Sequence, residues 1–159
     1  MRFNQIDQIV SLEPGQKIEA ICNLTGHEDY LRDHFPRFPV MPGVLMLEAL
    51  YQASALLVRA TDGYQMGLVL LQEAKNVKFS DFVQPGQSLN VSAEIIKHSE
   101  ESTIVKATGK KKDAVAVTAR LVIKRGTIEG GGNLSYADRH ASHFMRDLTQ
   151  RLLQIAVPS

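Results

Sequence analysis

Between His34 and Gln52 the chain reads HFPRFPVMPGVLMLEALYQ, which brings an imidazole, a carboxylate and a carboxamide into one short stretch. Imidazole and carboxylic acid groups are the side chains best suited to moving protons near neutral pH, so His34 and Glu48 form a candidate proton-transfer pair. Prolines at 36, 39 and 42 recur every third residue and dictate a stiff, extended loop that no helix can occupy. From Gly43 to about Ala60 the sequence GVLMLEALYQASALLVRA is rich in helix formers and apolar on nearly every face. Pro42 suits the first turn of that helix, and Thr61-Asp62-Gly63 supplies its stop. Glu48 then sits among Val44, Leu45, Leu47, Leu50 and Ala53, where burial costs free energy unless the carboxyl is paired or protonated. On residue types alone, a functional His34/Glu48 pair and a purely structural one stay equally open.

The elements that must hold this stretch are strands. Phe3 to Leu12 and Gln16 to Thr25 flank the turn signal Glu13-Pro14-Gly15-Gln16, and Ile18, Ala20, Cys22 and Leu24 alternate with polar neighbours. Further strands are predicted over 67–71, 75–82, 88–97, 102–109 and 114–124, punctuated by Gln84-Pro85-Gly86-Gln87, Ser99-Glu100-Glu101 and Lys110-Lys111-Lys112-Asp113. About seven strands and one long buried helix predict an α+β domain, an antiparallel sheet wrapped around a central helix, over residues 1–128. Residues 129–133, EGGGN, read as a flexible linker. Over 134–159, Ala141, Phe144, Met145, Leu148, Leu152 and Ile155 follow helical spacing and predict an added amphipathic C-terminal helix. The stripe of Phe144, Met145, Leu148 and Leu152 is expected to pack on the domain or on a neighbouring subunit.

Composition narrows the function classes. With 159 residues the chain is long enough for one domain with one core, and 18 basic against 17 acidic side chains give no overall field toward nucleic acid. The lone cysteine, Cys22, excludes an intrachain disulfide and suits a reducing cytoplasm. The N-terminus lacks the apolar stretch of a secretory signal, and no uninterrupted apolar run long enough to span a membrane is present.

The segment HFPxxPVMPGVLxxEAxxQ resembles the active-site motif of the 3-hydroxyacyl-[acyl-carrier-protein] dehydratases, in the branch whose catalytic carboxylate is glutamate. The match fixes His34, Phe35, Pro36, Pro39, Val40, Pro42, Gly43, Val44, Leu45, Glu48, Ala49 and Gln52 in order, and weaker similarity runs through VKFSDFVQPGQSL to about Lys124. The resemblance implies a hot-dog fold and dehydration of a (3R)-hydroxyacyl thioester, carried by acyl carrier protein or coenzyme A, to the trans-2-enoyl thioester. It implies His34 as the base at C2, Glu48 as the group that protonates or orients the departing 3-hydroxyl, the Gly43 N–H as binder of the thioester carbonyl, and Gln52 as support for Glu48 or its water. Phe35, Val40 and Val44 would line the substrate path. No metal or organic cofactor is implied. Because His34 and Glu48 come from different subunits in this family, a homodimer is implied, with a trimer of dimers as a larger possibility.

Departures from the family pattern are local. Asp33 stands where glycine commonly precedes the histidine, Tyr51 where this branch has a small residue, and Phe79-Ser80-Asp81-Phe82 where a basic segment is usual. The family's N-terminal helix is missing, and the C-terminal helix is extra. Asp33 and the altered docking segment keep a second expectation in play, a catalytically silent hot-dog protein that binds acyl thioesters or serves assembly. A hot-dog thioesterase is disfavoured by the HFP-to-PGV motif. His140 and His143 lie one helical turn apart without a carboxylate or cysteine to complete a metal site, and so read as a solvated face. Lys110 to Lys112 reads as an exposed hairpin turn.

Overall fold

The computed structural model describes residues 4–28, 31, 39–128 and 135–154. His34 and Phe35, the predicted linker 129–133 and the last residues of the C-terminal region therefore lie outside the described residues. In chain order the elements are β1 (Gln8–Glu13), β2 (Lys17–Asn23), α1 (Gly43–Thr61), β3 (Leu68–Phe79), β4 (Ser88–His98), β5 (Ser102–Lys111), β6 (Ala114–Gly126) and α2 (Tyr136–Leu153). The strands form one antiparallel sheet in the order β1-β2-β4-β5-β6-β3, with α1 packed along β2 to β6. This is the α+β, sheet-around-helix arrangement that the pattern of elements predicts, with α2 added.

Side-chain size explains how closely the sheet holds α1. Ile18, Ala93, Ala107 and Ala119 stand in one row across β2, β4, β5 and β6, so three neighbouring strands present only a methyl group there. All four are buried, as are Ala49, Leu50, Ala53, Leu57 and Val58 of α1. Small residues across the middle let the helix seat deeply while larger ones, Leu89, Leu121 and Ile123, fill the flanks. Cys22 is a buried core residue of β2. By length and composition α1 could cross a membrane, but more than half of it is buried within this fold.

Two expectations are corrected. The strands predicted at 67–71 and 75–82 are one strand, β3, which runs through the polar residues between them with register shifts at Leu71/Glu73 and Lys75/Lys78. The polar interruption is not a loop: β3 is an edge strand whose second half is largely exposed, so it tolerates polar residues and bulges. In α2, Met145 and Leu148 are half-buried and Leu152 is buried, but Phe144 is 53% exposed and leaves the predicted stripe. Asp138, Ser142 and Thr149 take the buried positions instead.

Those polar residues attach α2 by its N-terminal half. Ser135 and Asp138 form a capping box, and Asp138 Oδ1 also accepts the Ile128 N–H at 2.8 Å. Ser142 Oγ donates to the Met66 carbonyl at 3.3 Å, and Arg146 Nη2 donates to the Gly63 carbonyl at 3.2 Å while lying 5.0 Å from the Tyr64 ring centroid. Gly67 is required by contact, because a Cβ there would overlap both the carboxylate and the Cα of Asp138. Burial pushes the Asp138 carboxyl up, but the N–H groups of Ile128, Ser135 and Gly67 and the Ser135 hydroxyl more than compensate and hold it below its ordinary value.

Gly67→Ala is expected to cost about 1 to 3 kcal/mol through overpacking, seen as a lower melting temperature at neutral pH. The depressed carboxyl contributes stability above its unfolded value of roughly 3.9, and loses it as pH falls through the lower folded value. Asp138→Asn should therefore be less stable than the parent at pH 7, with the gap narrowing below about pH 4 in urea titrations.

Candidate active site

The N-terminus of α1 is assembled by main-chain contacts from the far side of the chain. Met41 N–H donates to the Val83 carbonyl at 2.8 Å, which fixes the approach to the helix, and Val40 beside it is fully buried. Leu45 and Met46 donate to the Pro42 carbonyl, and Pro42 offers no side-chain cap. The N–H groups of Gly43 and Val44 meet no acceptor among the described residues. No acidic side chain occupies the first turn, so the positive end of the helix dipole is left uncompensated there.

Phe79 roofs this end of the helix. A Cβ on Gly43 would lie 3.0 to 3.3 Å from three atoms of the Phe79 ring, so only glycine leaves the ring undisturbed. The segment carrying Phe79 is held by Lys111, whose Nζ donates to the Phe82 carbonyl at 2.9 Å and pairs with Asp81 at 3.2 Å. Asp81 accepts the Phe82 N–H, and that bond together with Lys111 holds its carboxyl below the ordinary range. The hairpin lysine expected to be merely exposed thus shapes the loop beside Gly43. Val44 is 69% exposed, and Phe79 and Phe82 are about half exposed.

Glu48 lies one turn further along, half-buried where the apolar reading of the helix placed it deeper. Its Oε1 accepts from Gln52 Nε2 at 3.0 Å, and Gln52 Oε1 accepts the Gln5 N–H at 2.6 Å. The carboxamide is therefore oriented from both ends: its carbonyl is taken by main chain, which turns its NH₂ toward the carboxylate. Glu48 and Gln52 are brought together, the contact the resemblance implies, and Gly43 stands at the helix start. The position of His34 relative to Glu48 lies outside the described residues.

Beyond Glu48 a cavity of about 320 Å³ follows the same face of α1. Of its polar residues, sequence reasoning missed Arg59 and singled out Tyr51 only as a departure from the family pattern. Tyr51, half-buried, donates from its hydroxyl to the Val69 carbonyl at 2.7 Å and clasps α1 to β3; burial and then Glu48 push its phenol up, with Arg59 opposing. Arg59 is buried, and donates to the Met66 and Gly67 carbonyls at 3.2 Å. Burial lowers its guanidinium, although Tyr51, Asp62 and Tyr64 act the other way. The available signal was spacing: Glu48, Tyr51, Gln52 and Arg59 recur on one face of an otherwise apolar helix. His140 and His143 are exposed on α2, away from these groups, with His140 stacked against Tyr136.

A family model described as FabA-like domain matches residues 1–120. The 3-hydroxyacyl-[acyl-carrier-protein] dehydratase FabZ of Clostridium tetani is 37% identical over 121 residues, covering 76% of this chain and 85% of that protein. The protein of the same name from Janthinobacterium sp. is 36% identical over 126 residues, covering 77% and 81%. Among solved structures, the dehydratase heterocomplex ApeI:P from Xenorhabdus doucetiae matches with a TM-score of 0.67 at 14% identity, over 80% of this chain and 86% of that one. Uncharacterized protein PH1136 from Pyrococcus horikoshii matches with a TM-score of 0.61 at 17% identity, over 78% and 85%. The structural matches establish the fold, which is the hot-dog fold.

Tyr51→Phe should remove the clasp to Val69 and cost about 0.5 to 1.5 kcal/mol of stability, measured by thermal or urea unfolding.

Proposed function

This chain belongs to the FabA-like domain family, and from that membership we propose that it dehydrates (3R)-3-hydroxyacyl thioesters to trans-2-enoyl thioesters in fatty acid or related acyl-chain synthesis. The observation that carries the reading is the layout of α1: free N–H groups at Gly43 and Val44, then a carboxylate oriented by Gln52, then an apolar cavity. A hydrogen beside a thioester carbonyl is too weakly acidic for an imidazole to remove unless the oxygen gaining charge is stabilised. The N–H of Gly43 at a helix N-terminus offers that stabilisation.

In this reading His34 takes the proton from C2, the electron pair forms the C2=C3 double bond, and the C3–O bond breaks. Glu48 delivers a proton to the departing hydroxyl, which leaves as water. Proton return from His34 to Glu48 through solvent resets the pair. Glu48 lies five residues beyond Gly43, about 7.5 Å along the axis, a separation suited to a group at C3 when the carbonyl is at Gly43. Gln52 positions the carboxylate. Phe35, Val40 and Val44 would line the path, and Asp33 would tune His34 from the preceding position.

The substrate would be carried on acyl carrier protein or coenzyme A, with no cofactor, in the cytoplasm. The working unit would be a homodimer in which His34 and Glu48 of one site come from different subunits. The long edge strand β3, with Leu70 half exposed, and the exposed Val44 and Phe79 support a self-association surface there.

His34→Ala and Glu48→Gln should each lower dehydration by at least a hundredfold with little change in melting temperature. The assay is loss of enoyl absorbance on hydration of crotonyl and longer enoyl thioesters. Wild-type turnover in either variant, or an inert parent protein, would overturn the assignment; an inert parent that binds acyl thioesters would favour the silent reading. Mixing the two variants should restore partial activity once subunits exchange, and a strictly inactive mixture would remove cross-subunit catalysis.

A further inference from the structure

The cavity beyond Glu48 has a wall that the matched family region does not supply. Its floor is one face of α1, where Glu48, Gln52, Ala55, Leu56 and Arg59 line it over three helical turns, roughly 16 Å at the standard rise. Val69 of β3 closes one side. Met145 and Leu148 close another, and both belong to α2, which begins at Tyr136, past the matched residues 1–120. We infer that α2 sets the acyl-chain length of the substrate, with Met145 and Leu148 turning the trough along α1 into a bounded pocket for an aliphatic tail.

This inference rests on the dehydratase reading, because that reading fixes the direction of the chain. With the thioester carbonyl at Gly43 and C3 beside Glu48, the remaining carbons continue along α1 toward Arg59. Past Tyr51 and Gln52 they meet apolar walls: Ala55, Leu56, Val69, Met145 and Leu148. They then meet a buried guanidinium, held in place by the Met66 and Gly67 carbonyls, against which a terminal methyl group gains nothing and displaces polar contacts. Met145 and Leu148 are half-buried, so they face the cavity without being absorbed into the core. Their positions are fixed from both sides along the helix, by Asp138 and Ser142 before them and by the buried Thr149 and Leu152 after.

The test uses the full chain and the pair Met145→Ala/Leu148→Ala, with Leu148→Trp as the opposite change. Hydration is measured on four-, eight-, twelve- and sixteen-carbon enoyl thioesters of both coenzyme A and acyl carrier protein, and the readout is the ratio of kcat/KM for sixteen carbons over four on the same carrier. The alanine pair should raise that ratio at least tenfold, and tryptophan should lower it and shorten the longest chain accepted. A ratio that stays within twofold of the parent in the alanine pair would overturn the inference. If the parent hydrates none of these substrates, the dehydratase reading fails separately, and the pocket is tested by thermal shift with saturated acyl-coenzyme A of the same lengths. Stabilisation should then fall off with length in the parent and persist to longer chains in the alanine pair. Identical length profiles in the two proteins would dispose of the pocket as well.

Discussion

A nineteen-residue helix that is apolar around most of its circumference cannot be satisfied by one sheet, which covers only the side it faces. The alanine row at Ala93, Ala107 and Ala119 deepens the contact but leaves the opposite side of α1 to be covered by other means. Cover comes from the segment around Gln5, from the edge strand β3 through Tyr51, and from α2. None of these is as broad as a sheet. The cavity beside Glu48 is the space they leave, so the site is a consequence of how the second side of the helix is closed.

Polar groups in that space are held by main chain throughout. Gln52 is fixed by the Gln5 N–H, Tyr51 by the Val69 carbonyl and Arg59 by the carbonyls of Met66 and Gly67. Each bond satisfies a group that would otherwise be costly to desolvate, and each ties α1 to a different part of the chain. Pre-orientation of Glu48 follows: its neighbour cannot rotate its amide without giving up a short bond to the backbone.

Much of this was legible in the residues. Alternation along β2, the turn signals between the later strands and the apolar run from Gly43 foretold the architecture, because period-two and helical patterns are set directly by burial. The contact between Gln52 and Glu48 was implied by the resemblance of HFPxxPVMPGVLxxEAxxQ to the family motif. What escaped had physical reasons. The polar middle of β3 resembles a loop because an edge strand exposed on both faces needs no alternation. Arg59, and the bond that Tyr51 makes, escaped because their partners are backbone carbonyls, which leave no mark in side-chain patterns. Phe144 stands outside the part of α2 buried within one chain because α2 docks through Asp138, Ser142 and Thr149, so its inward face is partly polar. The Ser135 to Asp138 spacing, a capping box, was the available clue to that polar face.

The attachment of α2 has an evolutionary consequence. Asp138, Ser142 and Arg146 grip peptide groups of residues 63 to 67 and 128, so the receiving loop contributes side-chain chemistry only through the Tyr64 ring beside Arg146 and the missing Cβ of Gly67. Grip and lining are thus assigned to different positions of one helix. Drift at 145 or 148 can reshape the cavity while the anchor stays intact, and drift in the loop at positions other than Tyr64 and Gly67 can proceed without moving the helix. An appendage organised this way can be retuned by single replacements, which makes it a natural place for related chains to diverge.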